Sequence, residues 1–126
     1  MSTPQAHLVD DDEAIRDALA WLLQSWEIAS IAYDSAEKFI ADWHPEMSGC
    51  VVLDMRLSGM SGLDCFDQLL AKNSTLPVIF LTGHGDVPLA VNTLKKGAFD
   101  FFEKPLNDNE LASRIEEAMA LDATQR

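Results

Sequence analysis

Residues 50–54 read Cys-Val-Val-Leu-Asp, a continuous apolar run that ends in an acid. A strand with one face in water alternates apolar and polar side chains, so an unbroken apolar run favours a strand that is buried on both faces. Strands of this kind occur in parallel sheets whose two faces are covered by helices. We therefore predict a central strand over Cys50–Asp54, with Asp54 at its carboxyl end.

On either side of this run, short apolar segments alternate with segments of helical periodicity. The predicted strands are Ala6–Asp10, Ile28–Tyr33, Cys50–Asp54, Pro77–Thr82 and Phe99–Glu103. The predicted helices are Glu13–Trp26, a short helix capped by Ser35, a helix after the Met55–Gly62 loop, a helix that carries Leu89, Val91 and Leu94 and ends near Gly97, and Asn109–Leu121. Five strands alternating with five helices indicate an α/β domain with a parallel sheet covered on both faces.

Composition narrows the class of protein. A length of 126 residues suits one domain, predicted over residues 1–122 with 123–126 as a tail or the start of a linker. No membrane span or signal peptide is evident, so we expect a cytoplasmic location. The net charge of -12 argues against direct binding of nucleic acid or anionic membranes. Cys50 and Cys65 have neither metal nor redox spacing, and we expect small buried thiols.

Ionisable and hydroxyl side chains stand where the predicted strands end. The first strand ends in the acidic run Asp10–Glu13, the third in Asp54, the fourth in Thr82 and the fifth in Lys104. Each residue taken alone has an ordinary explanation as a turn, cap or surface residue. Because the carboxyl ends of parallel strands share one edge, where ligands bind near a switch point, their joint occurrence favours a site.

These residue types suit phosphoryl transfer. Clustered carboxylates repel one another unless a cation or proton neutralises them, and oxygen ligands suit Mg²⁺. A carboxylate can act as the nucleophile that forms an aspartyl phosphate. A lysine and a hydroxyl can hold the remaining phosphoryl oxygens.

Four segments carry a family resemblance: Leu8–Glu13, Val52–Arg56, Phe80–Gly83 and Phe102–Pro105. Together they resemble the receiver domains of bacterial two-component response regulators, over nearly the whole chain. The resemblance implies a doubly wound, flavodoxin-like sheet of five parallel strands in the order 2-1-3-4-5 with five helices. It also implies a signalling phosphoacceptor, not an enzyme acting on external substrates, whose partner is a sensor histidine kinase.

The resemblance assigns roles to individual residues. Asp54 is the expected phosphoacceptor, and the Mg²⁺ cofactor is expected on Asp10, Asp11, Asp54 and the backbone carbonyl of Arg56. Lys104 is expected to contact the phosphoryl group, Thr82 to engage it after transfer, and Phe101 to turn inward on activation. The Lys104-Pro105 bond is expected to be cis.

The segment Thr82–Pro88 is similar to FixJ-like regulators and to receivers of some enhancer-binding activators. FixJ-like regulators usually carry a LuxR-type helix-turn-helix after the receiver, so we expect that this chain is truncated and that the longer protein binds DNA. The resemblance predicts a homodimer on phosphorylation, through a face that includes Val91 and Lys95. The alternative is that Val91 belongs to the core and Lys95 to a solvated face.

Two positions depart from the pattern of the resembled family, and two others are positions that, in that family, affect how long the phosphoryl group survives. Ser58 stands where proline is usual, which we expect to loosen a turn without touching any ligand. Leu106 stands where phenylalanine is common. Arg56 and His84 occupy positions that tune the lifetime of the phosphoryl group.

Three other functions were weighed. An aspartate-nucleophile phosphatase would carry a second aspartate where Arg56 stands. A flavin-phosphate binder would need a loop of serine, threonine and glycine where Asp10–Glu13 stands. A degenerate receiver that works without phosphorylation would lack site residues that this chain has.

Overall fold

The computed structural model describes residues 3–126, within which five parallel strands form one sheet and five helices lie against it. The strands are β1 (Gln5–Val9), β2 (Ser30–Tyr33), β3 (Gly49–Asp54), β4 (Val78–Thr82) and β5 (Asp100–Glu103). The helices are α1 (Glu13–Ser25), α2 (Ala36–Asp42), α3 (Gly62–Ala71), α4 (Val87–Lys95) and α5 (Asp108–Gln125). A short 3₁₀ turn over His84–Asp86 precedes α4.

The sheet has the order β2-β1-β3-β4-β5, which confirms the expected topology. Every residue of β3 is buried, as the apolar run predicts. Val51 and Leu53 face the core under α2 and α3, whereas Cys50 and Val52 face the core under α1 and α5. The chain order reverses between β1 and β3, so the carboxyl ends of these two strands flank the switch point where ligands bind in such sheets.

The second strand begins at Ser30 and not at Ile28, because Ile28 closes the preceding helix. Its backbone N–H donates to the carbonyl of Leu23 at 2.9 Å, and Glu27 lies in the left-handed region with a φ of 59°. This is a Schellman motif, which satisfies carbonyls that the helix end leaves free. Ile28, which the sequence pattern assigns to the second strand, is therefore part of the end of α1.

The last helix continues beyond the predicted end at Leu121 and includes residues 122–125. Asp122 is buried, and its carboxylate accepts the backbone N–H of Gly49 at 2.8 Å, which ties this helix to the start of β3. The domain boundary expected at residue 122 stays a prediction. Within residues 3–126, no helix is both long enough and apolar enough to span a membrane.

Helix α4 buries its small residues and exposes its large ones. Ala90 and Thr93 are buried against the sheet. Leu89, Val91 and Leu94, the residues from which the helix was predicted, are 46%, 42% and 37% exposed. Its large apolar side chains therefore lie on the surface next to the candidate site.

Candidate functional site

Three carboxylates meet at the carboxyl ends of β1 and β3. The register of these strands pairs Val9 with Leu53, so the next residues, Asp10 and Asp54, emerge side by side. Both are buried, whereas Asp11 is exposed. One carboxylate oxygen from each of Asp10, Asp11 and Asp54 lies within 4.8 Å of the others. The structure thus brings together the acids that the sequence places at two separate strand ends.

Lys104 reaches this cluster from the end of β5. Its backbone N–H donates to the carbonyl of Thr82 at 2.8 Å, which anchors it beside β4. Its Nζ lies 3.3 Å from Oδ2 of Asp54 and 3.5 Å from Oδ2 of Asp10. Burial lowers the pKa of Lys104, but the two carboxylates outweigh burial and raise it, so the side chain is charged. The bond to Pro105 is cis, as the resemblance implies.

The neighbours of Asp54 only partly offset the negative charge of its carboxylate. Burial, followed by repulsion from Asp10, raises its pKa. The backbone N–H of Arg56, which donates to Oδ1 at 3.2 Å, and the ammonium of Lys104 act in the opposite sense without reversing the shift. An anion in this position is stabilised by a neighbouring cation.

The donor set fits a magnesium ion. Three carboxylates face one ammonium group in the cluster, which leaves an excess of negative charge. The donors are all oxygens, which Mg²⁺ prefers, and that ion commonly binds one or two carboxylates while it keeps waters and phosphate oxygens. Asp10, Asp11 and Asp54 could therefore hold it. That the carbonyl of Arg56 completes the ligand set stays a prediction.

Thr82 is fully buried at the end of β4. Its hydroxyl donates to the carbonyl of Gly83 at 3.2 Å and lies 3.7 Å from the sulfur of Met55. Phe101, on the neighbouring strand, pairs in register with Phe80 and is half-buried against the same core. Thr82 pairs in register with Glu103, so Phe101 lies two residues before the partner of Thr82, on the same side of the sheet.

The sequence matches the family described as "Response regulator receiver domain" over residues 6–116. This chain belongs to the response regulator receiver domain family. The receiver is 48% identical over 116 residues to "C4-dicarboxylate transport transcriptional regulatory protein DctR" of Rhodobacter capsulatus, covering 90% of this chain and 59% of DctR. It is 42% identical over 119 residues to "Transcriptional regulatory protein FixJ" of Azorhizobium caulinodans, covering 94% of this chain and 56% of FixJ.

A solved structure of the response regulator StyR matches the receiver with a TM-score of 0.92 and 39% identity, covering 99% of this chain and 63% of that one. The receiver thus spans less than two thirds of the length of these relatives. It is a FixJ-like receiver domain of a two-component system, and these relatives include named transcriptional regulators.

Ser58 contacts a site carboxylate, so the expectation that it touches no ligand residue is wrong. Its backbone N–H and its hydroxyl both donate to Oδ2 of Asp11, each at 3.1 Å. Sequence reasoning missed this contact because the two residues are 47 positions apart. A hydroxyl in the loop after the central strand was the single signal that could have found it.

Arg56 pairs with a residue that sequence reasoning did not single out. Its Nε and Nη2 donate to the two oxygens of Asp86 at 2.6 Å each, a bidentate contact between the loop after β3 and the turn after β4. The contact raises the pKa of Arg56 and lowers that of Asp86. The Arg56 side chain is therefore engaged away from the carboxylate cluster.

The remaining predicted residues lie on or near α4. Val91 is 42% exposed, so the alternative that it is a core residue is wrong. Lys95 is exposed one turn further along the same helix. The side chain of His84 lies outside the part of the receiver that the structure describes, so its tuning role stays a prediction.

Proposed function

We propose that Asp54 accepts a phosphoryl group from a phosphohistidine of a sensor histidine kinase, with Mg²⁺ bound, and that this switches the receiver to a dimer that controls transcription in a longer protein. The observation that carries the proposal is the Asp54 carboxylate, which is buried and has Lys104 at 3.3 Å and two further carboxylates within 4.8 Å. The candidate nucleophile, the carboxylates that could hold a cation and the ammonium group of Lys104 therefore lie at the same edge of the sheet.

The transfer requires little of the protein beyond position and charge. An oxygen of Asp54 forms a bond to phosphorus while the phosphorus–nitrogen bond of the donor breaks, and the imidazole nitrogen keeps the electron pair and takes a proton from solvent. A magnesium ion held by Asp10, Asp11 and Asp54 would neutralise charge on the phosphoryl oxygens. Lys104, which already touches Asp54, would supply a second positive charge.

The acyl phosphate would then draw the switch residues inward. The Thr82 hydroxyl would leave the carbonyl of Gly83 and donate to a phosphoryl oxygen. That movement would free space beside β5, where Phe101 is only half-buried and could turn inward. Phe101 lies two residues before Glu103, the register partner of Thr82, and its position on the same side of the sheet supports this coupling.

The proposed dimer surface is the outer side of α4. Val91, Leu94 and Lys95 have the i, i+3, i+4 spacing that places them on one side of a helix, and all three are exposed. Burying Val91 and Leu94 against a second copy would remove apolar surface from water. Repacking around Phe101 and Thr82 would make that surface able to bind a second copy.

A hydrolase that turns over external phosphate esters is less well supported. It would need a proton donor at the position of Arg56, and that guanidinium is held by Asp86. We propose that the receiver acts on its own phosphoryl group alone.

The phosphoacceptor is tested by intact mass after incubation with acetyl phosphate. We expect the native receiver to gain one phosphoryl mass in the presence of Mg²⁺ and none with EDTA. Asp54→Asn is expected to gain none, whereas Asp17→Asn, the same change at an exposed position on α1, is expected to behave as native. Equal labelling of native protein and Asp54→Asn would overturn the assignment.

The dimer is tested by sedimentation velocity before and after phosphorylation. We expect native protein to double in mass when phosphorylated and Val91→Asp to stay monomeric. Leu89→Asp is the matched control, since Leu89 is exposed to a similar degree but lies about 200° away around the helix. The same dimerisation in all three proteins would place the interface elsewhere.

A further inference from the structure

Ser58 is the residue through which the loop after β3 holds Asp11. We propose that Ser58 positions the Asp11 carboxylate for cation binding and thereby sets the Mg²⁺ affinity of the site. The inference rests on the proposed magnesium site and adds to it a residue outside the expected ligand set. Both of its hydrogen bonds, at 3.1 Å, go to the same carboxylate oxygen, Oδ2 of Asp11.

Asp11 needs such a contact more than the other two acids do. Asp10 is buried and bonded to the backbone N–H of Asp12 at 2.9 Å, and Asp54 is buried and bonded to that of Arg56 at 3.2 Å. Asp11 is exposed, and within residues 3–126 the hydrogen bonds of its carboxylate come from Ser58. Without them, the side chain would rotate freely in solvent, and ordering it on a cation would cost side-chain entropy.

The loop that carries Ser58 is itself hydrogen-bonded to helix α2. The backbone N–H of Met60 donates to Oε2 of Glu37 on α2 at 3.1 Å. Gly59 has a φ of +77°, and a Cβ at this position would lie 2.4 Å from the same Glu37 oxygen. The close approach of Glu37 thus depends on a glycine next to Ser58. The loop is therefore a fixed support from which Ser58 can orient Asp11.

The two bonds make distinct demands on residue 58. Alanine keeps the backbone N–H but loses the hydroxyl, threonine keeps both donors, and proline has neither. Hydrogen bonds to the carboxylates that hold a metal commonly contribute 10- to 100-fold in affinity. A graded series at one position can therefore separate the contributions of the two donors.

The test measures binding of Mn²⁺, which takes the same oxygen ligands, by the loss of the free-ion signal in electron paramagnetic resonance. We expect Ser58→Thr to bind within about 2-fold of native protein and Ser58→Ala about 5-fold more weakly, the equivalent of one ordinary hydrogen bond. Ser58→Pro is expected to bind about 10-fold more weakly or worse. Ser61→Ala is the control, because it removes a hydroxyl of the same loop that accepts the backbone N–H of Asp64 and does not contact Asp11. This variant is expected to bind Mn²⁺ as tightly as native protein.

The outcomes separate this inference from the proposed function. If native protein binds Mn²⁺, Asp11→Asn does not, and Ser58→Ala binds as tightly as native or tighter, the Ser58 side chain has no positioning role while the metal site stands. If native protein and Asp11→Asn bind equally weakly, the metal site itself is wrong. Circular dichroism of each variant shows that the fold is kept, and because Ser58→Ala retains the backbone donor, the test does not depend on the proline variant.

Discussion

The charge of Asp54 should lower the stability of the metal-free receiver, so removing that charge should raise it. Burial and the nearby Asp10 raise the pKa of Asp54 above its ordinary value. A raised pKa means that the folded state favours the neutral acid more than the unfolded state does. We therefore predict that Asp54→Asn, which removes the proposed phosphoacceptor, unfolds at a higher urea concentration than native protein in the presence of EDTA.

The size of the effect follows from the separations in the cluster. At the 4.8 Å that bounds the carboxylate oxygens, two like charges repel by about 3.5 kcal/mol at an effective dielectric constant of about 20 and by about 0.9 kcal/mol in water. At the same dielectric constant the attraction of Lys104 at 3.3 Å would be about 5 kcal/mol, but its side chain is 31% exposed and the attraction is screened. The raised pKa of Asp54 indicates that burial and the repulsion from Asp10 together outweigh it. We expect a net gain in the free energy of unfolding of about 1 kcal/mol, and less than about 3 kcal/mol.

Urea unfolding followed by tryptophan fluorescence measures this difference, and its pH dependence supplies a second check. The penalty from Asp54 is complete above its folded pKa and vanishes as pH falls below the ordinary value of 3.8, because Asp54 is then neutral in both the folded and the unfolded state. The advantage of Asp54→Asn should therefore shrink in acid. Equal or lower stability of the variant at pH 7.5, or a difference that persists below pH 3.8, would refute the electrostatic reasoning. Asp17→Asn should change stability by less than about 0.5 kcal/mol.

Three further outcomes are expected. Thr82→Ala should still take up a phosphoryl mass from acetyl phosphate, because its hydroxyl is bonded to a backbone carbonyl, but sedimentation should show no dimer. Burial lowers the pKa of His7 from 6.5, so as the pH falls the unfolded state binds a proton before the folded state does. The urea midpoint of native protein should therefore decrease more between pH 7 and pH 5 than that of His7→Gln. Burial raises the pKa of Cys50 and Cys65 to about 12, so a thiol reagent at pH 8 should label neither in native protein and both in urea.

The sequence predicts the fold and the core of the site because both depend on local patterns. An apolar run such as residues 50–54 predicts a buried strand without knowledge of its neighbours. Once strands are predicted to be parallel, their carboxyl ends must share an edge, so Asp10, Asp54 and Lys104 can be placed together. Acids at the ends of the first and third strands and a lysine at the end of the fifth are therefore informative even before any distance is known.

Contacts between loops could not be predicted in the same way. The bonds of Ser58 to Asp11 and of Arg56 to Asp86 join residues 47 and 30 positions apart. Each depends on loop backbone directions that no periodicity encodes, and polar residues in loops have many possible partners. The wrong expectation for Ser58 arose because the residue was considered only for its backbone conformation and not for its two donors.

Helix α4 shows why the direction of a helix face is harder to predict than the helix itself. Ala90 and Thr93 are the buried positions, and they are small because this helix lies close to the sheet, so the larger Val91 and Leu94 face water. A pattern that assumes large apolar residues point inward therefore fails for this helix. The turn that leads into this helix begins at His84 and contains Asp86, which Arg56 holds from the loop after β3. One short segment therefore runs from the end of β4 to α4 and is bonded to the loop that follows Asp54.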